Sequence, residues 1–150
     1  MTIVGVAGSF NLLHEGHKAM LAEAFQIASN EEDCVYIALT DGEMFYTPKR
    51  IRAGVPLNSL YDRTEAVRSW IKQNYPDTRY DIYTLKNPYL EVVLACTVDV
   101  LVCSEESRER AEKLVEGAEP SVRIVAVPMV KDSEGRRVSS TYKMKERRRK

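Results

Sequence analysis

The two histidines of the chain, His14 and His17, both lie in the segment GSFNLLHEGH, residues 8–17. An imidazole donates hydrogen bonds and can carry charge near neutral pH, so two of them side by side suit an anionic ligand. Gly8 lets a ligand approach the backbone. Gly16 falls at the predicted start of a helix, where free N–H groups and the helix dipole favour phosphate. The segment therefore predicts a phosphate-binding loop.

A second group of hydrogen-bond donors lies near the other end of the chain. Ser139, Ser140 and Thr141 supply three hydroxyls in a row and open a predicted last helix. Taken alone, such a run is an ordinary helix cap. Taken together with the histidine segment, it predicts the second side of one triphosphate site, again at the positive pole of a helix.

Other sites for phosphate or metal are excluded by spacing. The chain has no GxGxxG fingerprint and no GxxxxGK[ST] loop. His14 and His17 do not have the HExxH spacing of a zinc site, and the sequence shows no third ligand, so no protein-held metal is expected. Purely structural interpretations stay open at this point: Gly8 as a turn residue, His17 as a helix-cap residue and Phe10 as part of the core.

Short β-branched runs alternate with longer amphipathic segments along the chain. Strands are predicted at residues 2–7, 34–39, 80–85, 98–103 and 122–127. Helices are predicted at 16–29, 60–75, 89–96, from a cap at Ser104 to about 116, and from 139 onward. This order predicts an α/β, doubly wound, Rossmann-like fold, with a five-stranded parallel sheet and helices on both faces. Only segment 41–59 lacks a clear period, and a loop of that length is usually functional or mobile.

Length and composition predict one domain, residues 1–150, in the cytoplasm. The chain is 44% hydrophobic and shows no long polar linker, signal peptide or membrane-length apolar run. Its three cysteines show no CxxC pairing and lie in apolar surroundings, which predicts buried, reduced thiols.

The net charge of zero hides a strong asymmetry. Residues 136–150 contain eight basic side chains against Glu146 alone, and the remainder of the chain is acidic by the same amount. The basic tail, about 143–150, suits a solvated helix end, because cations favour the negative pole of the dipole. It also suits a positive field that attracts a nucleotide or a nucleic acid.

These residues resemble the nucleotidylyltransferase superfamily, whose marks are an (H/T)xGH motif after the first strand and an ISSTxxR-like motif near the C-terminus. The first motif is matched by Gly8, Ser9, Phe10, His14, Gly16 and His17, and most of the second by residues 138–141. The segments VPMVKDSEGRRVSST and DVLVCSEES are most similar to phosphopantetheine adenylyltransferases of the archaeal and eukaryotic type.

The resemblance implies a reaction in coenzyme A biosynthesis: ATP and 4′-phosphopantetheine give dephospho-coenzyme A and pyrophosphate, with Mg²⁺ bound through the ATP phosphates. It implies that His17 stabilises charge on the α-phosphate and that His14 binds the triphosphate. Catalytic roles are expected for His17 and Lys49. Nucleotide-binding roles are expected for Gly8, Ser9, Phe10, His14, Gly16, His17, Ser104, Ser139, Ser140 and Thr141. Acceptor-binding roles are expected for Ser9, Asn11, Thr40 and Lys49.

Three positions depart from the superfamily pattern. Asn11 and Leu12 replace the usual Asp and Pro, and Met144 stands where the second motif has a basic residue. Alternatives therefore stay open: an enzyme that adenylylates nicotinamide mononucleotide, a CTP-dependent cytidylyltransferase, a nucleotide-binding protein without turnover, and a nucleic-acid-binding module that uses the basic tail. The expected partners are ATP and a phosphorylated small-molecule acceptor, with no membrane and possible homo-oligomers.

Overall fold

The computed structural model describes residues 1–46, 48–54 and 56–128. In this part of the chain, five strands form one parallel sheet in the order β3-β2-β1-β4-β5. The strands are β1 (Ile3–Gly8), β2 (Cys34–Thr40), β3 (Arg79–Leu85), β4 (Val100–Ser104) and β5 (Arg123–Val127). The doubly wound α/β prediction is confirmed, and the strands begin and end within two residues of their predicted bounds.

Within the described ranges, five helices connect the strands. They are α1 (Glu15–Ile27), α2 (Pro48–Ala53), α3 (Leu60–Asn74), α4 (Pro88–Thr97) and α5 (Arg108–Leu114), with 3₁₀ turns at Gly42–Met44 and Glu105–Ser107. The expectation of a loop without secondary structure at 41–59 is wrong, because α2 lies there. This helix buries none of its described side chains, so it has no apolar stripe that a pattern could reveal.

Both faces of the sheet are covered, as predicted. On one face, α1 and α3 bury Leu21, Phe25, Val67 and Ile71 against the inward side chains of the central strands. On the other, α4 and α5 pack small residues against β4 and β5. Each large apolar side chain buried in this way contributes roughly 1.5–3 kcal/mol to the free energy of folding. This packing holds the strand ends in fixed positions.

The strand order reverses beside β1. This strand pairs with β2 up to Gly8 and Leu39, and with β4 up to Val6 and Val102. Since all strands are parallel, the carboxyl ends of β1, β2 and β4 meet at one edge of the sheet. Ligands of open α/β sheets bind outside the carboxyl ends at such a reversal. The predicted phosphate-binding loop begins at this point.

The start of α5 differs from prediction. Ser104 makes no side-chain cap hydrogen bond within the described structure, because a 3₁₀ turn stands between it and the helix. Its hydroxyl instead donates to the Ser107 hydroxyl, 3.1 Å away. The helix ends at Leu114, two residues before the predicted end, and Gly117 follows in a turn with φ of +79°.

The cysteines are all free, but the prediction that they are buried is wrong for Cys96. Cys103 is buried, Cys34 is half-buried and Cys96 is exposed. The reason lies in α4, which is apolar on every side while only Glu91 and Ala95 are buried. Within the described ranges, no helix is long and apolar enough to cross a membrane.

Candidate functional site

His14 is the N-cap of α1. Its backbone is extended, and its Nδ1 accepts hydrogen bonds from the N–H groups of Gly16 at 3.0 Å and His17 at 3.4 Å. Two of the N–H groups expected to bind phosphate are therefore bonded to an imidazole in this structure. Because Nδ1 accepts, the proton of the neutral ring lies on Nε2. At these two positions, the N–H groups at the positive pole of α1 are bonded to His14, so their effect on a ligand passes through the His14 ring.

His17 is buried under that cap. Its ring stacks on the His14 ring with centroids 3.8 Å apart, and it lies 5.1 Å from the Phe10 ring. Its Nδ1 is buried and has no hydrogen-bond partner among the described residues. Buried polar atoms are almost always paired, so an unpaired nitrogen next to a helix N-terminus points to a ligand.

The pKa of His17 is lowered to about 3. Burial is the largest cause, and the neighbouring His14 lowers the pKa further. A hydrogen bond to the Leu12 backbone raises it, and the charge of Arg50 lowers it. The imidazole is therefore neutral at pH 7. A neutral ring has a single N–H, so His17 can donate one hydrogen bond to an anion, in the tautomer that carries its proton on Nδ1. It does so without adding a buried cation to the site.

Phe10 has a left-handed backbone, with φ of +48°. This conformation is uncommon for a bulky residue and is held only where the surroundings fix it. The side chain is 1% exposed and belongs to the main core, so only the backbone of Phe10 is open to a nucleotide. An added Cβ on Gly8 would meet the Phe10 ring at 3.6 Å, which is ordinary contact. Packing therefore does not require glycine at position 8.

Asn11 stays a predicted acceptor contact, and its side chain also makes hydrogen bonds within the protein. Its Nδ2 donates to the Pro56 carbonyl at 2.9 Å, and its Oδ1 accepts from the Asn58 N–H at 2.7 Å. The Asn58 side chain donates back to the Asn11 carbonyl. Asn11 thus joins the predicted phosphate-binding loop to the segment that precedes α3.

Arg63, on α3, is a residue that the sequence analysis missed. It is 1% exposed and pairs with Asp41, Nη2 to Oδ1, at 2.8 Å. Its other hydrogen bonds go to backbone carbonyls at the ends of β1 and β2 and before α3. One signal was present: Arg63 lies four residues before the apolar Val67, on the face of α3 that the helical period predicts to be buried.

Three further candidates lie at the carboxyl edge of the sheet. The Ser9 hydroxyl accepts from the Asn11 N–H at 3.4 Å. Thr40 follows Leu39 at the end of β2, and its Oγ1 is buried without a hydrogen-bond partner in the described part of the chain. Ser104 ends β4. Counting only partners in the described residues, two buried side-chain atoms at this edge are unpaired, His17 Nδ1 and Thr40 Oγ1.

Lys49 and Arg50, two basic residues that follow β2, differ in how far their side chains are buried. Lys49 is exposed on α2. Arg50 is half-buried, donates from Nη1 to the Phe45 carbonyl at 2.8 Å and lies 4.5 Å above the Phe45 ring. The charge of Arg50 is also one of the causes that lower the pKa of His17.

The second predicted half of the site, Ser139, Ser140 and Thr141, lies outside the described residues. The same holds for Met144 and the basic tail. The expectation that both ends of the chain meet in one site therefore stays a prediction.

Comparison with known proteins agrees with the fold and the motif. A model of the cytidylyltransferase-like family matches residues 6–146. The phosphopantetheine adenylyltransferase of Methanosarcina barkeri is 31% identical over 150 residues, covering 94% of this chain and 85% of that protein. The one of Methanopyrus kandleri is 28% identical over 142 residues, covering 92% and 85%.

A solved structure, the pantoate-beta-alanine ligase of Francisella tularensis, superposes with a TM-score of 0.63 at 16% identity, over 95% of this chain and 65% of that one. This likeness concerns the fold alone. The resemblance to nucleotidyltransferases that two short motifs indicated is confirmed by the family match. Because that match leaves out only the first five and the last four residues, the chain belongs to the cytidylyltransferase-like family.

Proposed function

We propose that this chain transfers AMP from ATP to 4′-phosphopantetheine, giving dephospho-coenzyme A and pyrophosphate. The observation that carries the proposal is His17, a neutral, buried imidazole placed where β1 turns into α1. Its Nδ1 has no hydrogen-bond partner in the part of the chain that the structure describes. Its position is the one at which open α/β sheets bind nucleotides. The choice of acceptor is supported by relatives that carry the name phosphopantetheine adenylyltransferase over almost the whole length of the chain.

The chemistry requires little from the protein beyond position and charge. An oxygen of the acceptor phosphate bonds to the α-phosphorus of ATP while the bond from that phosphorus to the bridging oxygen breaks. Pyrophosphate leaves with the electron pair. The attacking phosphate is already anionic near pH 7, so neither a protein nucleophile nor a general base is needed. The histidines, hydroxyls and helix pole of the site suit this task.

The residues take separate parts in the proposed reaction. In the tautomer protonated on Nδ1, His17 donates from that atom to the α-phosphate as negative charge develops there. His14 donates from Nε2 to the triphosphate. Gly8 leaves room for the phosphates, and Ser9 lies between the two substrates. Lys49 and the Thr40 hydroxyl bind the acceptor. Further contacts to the triphosphate come from Ser104, Ser139, Ser140 and Thr141 and from the backbone of Phe10. Gly16 acts at the start of α1, where its N–H holds the His14 ring in place.

Mg²⁺ enters on the ATP phosphates in this proposal. Across residues 1–46, 48–54 and 56–128, no group of three or more His, Cys, Asp or Glu side chains is placed to hold a metal ion. Mg²⁺ keeps several waters and binds readily through substrate phosphates, so it needs no cage of protein ligands. When bound, it neutralises phosphate charge.

The same proposal treats residues 1–150 as one catalytic domain in the cytoplasm. Three free cysteines, one of them exposed, fit a reducing compartment. The basic tail then supports the positive field of the nucleotide site.

A pyrophosphate-release screen tests the function. ATP and CTP are each combined with 4′-phosphopantetheine and with nicotinamide mononucleotide, in the presence of Mg²⁺. Of these four pairs, only ATP with 4′-phosphopantetheine is expected to release pyrophosphate. Release with another pair would reassign the acceptor or the nucleotide, and tight ATP binding without release from any pair would make the chain a nucleotide-binding protein without turnover.

The variant His17→Ala tests the role of His17 in the same reaction. A donor that acts mainly on the transition state contributes about 10²- to 10³-fold in rate. We expect kcat to fall by that factor while the affinity for ATP changes much less. Turnover close to that of the wild-type chain would remove His17 from this role.

A further inference from the structure

We propose that Arg63 is a positioning residue for nucleotidyl transfer, which holds the loop at Ser9, Phe10 and Asn11 in the conformation that keeps the His17 ring in place. This inference rests on the proposed function and adds a residue from α3 that lies outside both sequence motifs.

Arg63 joins three separate segments through its guanidinium. Nη1 donates to the Ser9 carbonyl at 3.1 Å and to the Thr40 carbonyl at 2.6 Å. Nε donates to the Asn58 carbonyl at 2.9 Å, and Nη2 donates to Asp41 Oδ1 at 2.8 Å. A planar guanidinium can make all four bonds at once because its donors point in fixed directions. The ends of β1 and β2 are thereby tied to the segment before α3.

The bond to Ser9 acts directly on the strained residue. The Ser9 carbonyl belongs to the peptide group that precedes Phe10, and the φ angle of Phe10 turns that group about the N–Cα bond. Holding this carbonyl therefore fixes one side of the +48° angle. The other side is held by Asn58, which bonds to Asn11 and whose own carbonyl accepts from Arg63. Strained backbone persists where surrounding contacts fix it in this way.

The loop conformation decides where the His17 ring lies. Phe10 is buried and its ring is tilted against the His17 ring at 5.1 Å. His17 Nδ1 has no hydrogen-bond partner within the described ranges, so no bond from that atom orients the ring. Its orientation depends on packing between Phe10 and His14 and on the Leu12 backbone, which belongs to the same loop. Release of the Ser9 carbonyl would let Phe10 relax and would free His17 to turn.

Buried charge also argues for a specific task. A guanidinium that is 1% exposed costs free energy to bury, and an apolar side chain would pack α3 on the sheet without that cost. Burial lowers the pKa of Arg63, whereas the Asp41 carboxylate opposes this effect. What an apolar residue could not supply is the set of donors to three carbonyls.

Arg63→Met and Arg63→Lys test the proposal, with Arg68→Met as the matched control. Arg68 lies on the same helix, is half-exposed and pairs with Glu65 on that helix. The first readout is the nuclear Overhauser effect between the Phe10 and His17 ring protons, measured without substrate. Since the chain has two histidines, the imidazole signals are simple to assign. The second readout is kcat and KM for ATP and for the acceptor.

For folded Arg63→Lys and Arg63→Met, we expect loss of the ring contact and a fall in kcat of about 10- to 100-fold, with KM for ATP changed less than about threefold. Arg68→Met is expected to keep both. A preserved ring contact in either folded variant, or a lost contact with unchanged kcat, overturns the proposal. If Arg63→Met does not fold, Arg63→Lys decides. If the wild-type chain releases no pyrophosphate, the proposed function fails, and the ring contact alone then decides whether Arg63 holds His17.

Discussion

The imidazole rings of His14 and His17 are stacked with their centroids 3.8 Å apart. Nδ1 of His14 also accepts a hydrogen bond from the backbone N–H of His17. The His14 ring therefore caps the start of α1. The His17 ring is buried, and its Nδ1 has no hydrogen-bond partner among the residues that the structure describes. Although both belong to one motif, their contributions to stability and to chemistry differ. Variants can separate these contributions.

Replacing His14 with alanine or with asparagine distinguishes its role as the N-cap of α1 from its role as a hydrogen-bond donor to phosphate. Asparagine accepts hydrogen bonds at an N-cap, so His14→Asn should keep the free energy of unfolding within about 0.5 kcal/mol of wild type. His14→Ala should lose about 1 kcal/mol. Both variants lack the Nε2 donor and should bind ATP more weakly. Urea unfolding and calorimetric titration with ATP give the two values. Wild-type ATP affinity in His14→Asn would contradict a phosphate-binding role.

The lowered pKa of His17 predicts that stability falls as the solution becomes acidic. Below about pH 6.5 the unfolded chain binds a proton at His17, whereas the folded chain does not until about pH 3. In that interval this group removes about 1.4 kcal/mol of stability per pH unit. Compared with His17→Gln, the wild-type chain should lose about 2 kcal/mol more between pH 7 and pH 5. Unfolding measured in phosphate-free buffer checks this, and parallel curves for the two chains would refute it.

The sequence predicted the sheet because β-branched runs and helical periods mark elements that bury apolar side chains. His14 and His17 could be placed at the carboxyl edge for the same reason, since the order of strand and helix fixes that point. Arg63 could not be assigned its task, because its bond to Ser9 spans 54 residues of sequence and leaves no local pattern. The exposure of Cys96 was missed because apolar composition does not say how much of a helix is covered.

Gly5 and Gly8 both lie in β1, and substituting each one separates an effect on packing and stability from an effect on the space for a ligand. A Cβ on Gly5 would lie 2.9 Å from Cγ1 of Val98, a buried and stiff side chain. Gly5→Ala should therefore destabilise the fold by about 1–3 kcal/mol. On Gly8 the added Cβ meets ordinary contact, and φ lies outside the left-handed range. Gly8→Ala should keep the stability within about 0.5 kcal/mol.

If phosphates approach Gly8, the methyl group of Gly8→Ala occupies their space, and ATP affinity should fall without loss of stability. Gly5→Ala is the control, because its effect should appear in unfolding rather than in the affinity of the folded protein. Unchanged ATP affinity in Gly8→Ala would place the phosphates elsewhere. Chemical denaturation and ATP titration of both variants give the comparison.

Lys49 and Arg50 are neighbours on α2 with different expected effects. Lys49 is exposed, so Lys49→Ala should leave stability unchanged and raise KM for the phosphorylated acceptor by at least about tenfold, because a hydrogen bond to a charged group is lost. Arg50→Ala removes the bond to the Phe45 carbonyl and the stacking on its ring, at a cost of about 1 kcal/mol or more. Because the Arg50 charge lowers the pKa of His17, that pKa should rise in Arg50→Ala and stay the same in Lys49→Ala. Imidazole NMR titration measures it, and equal His17 pKa values in the two variants would show that Arg50 does not face the site.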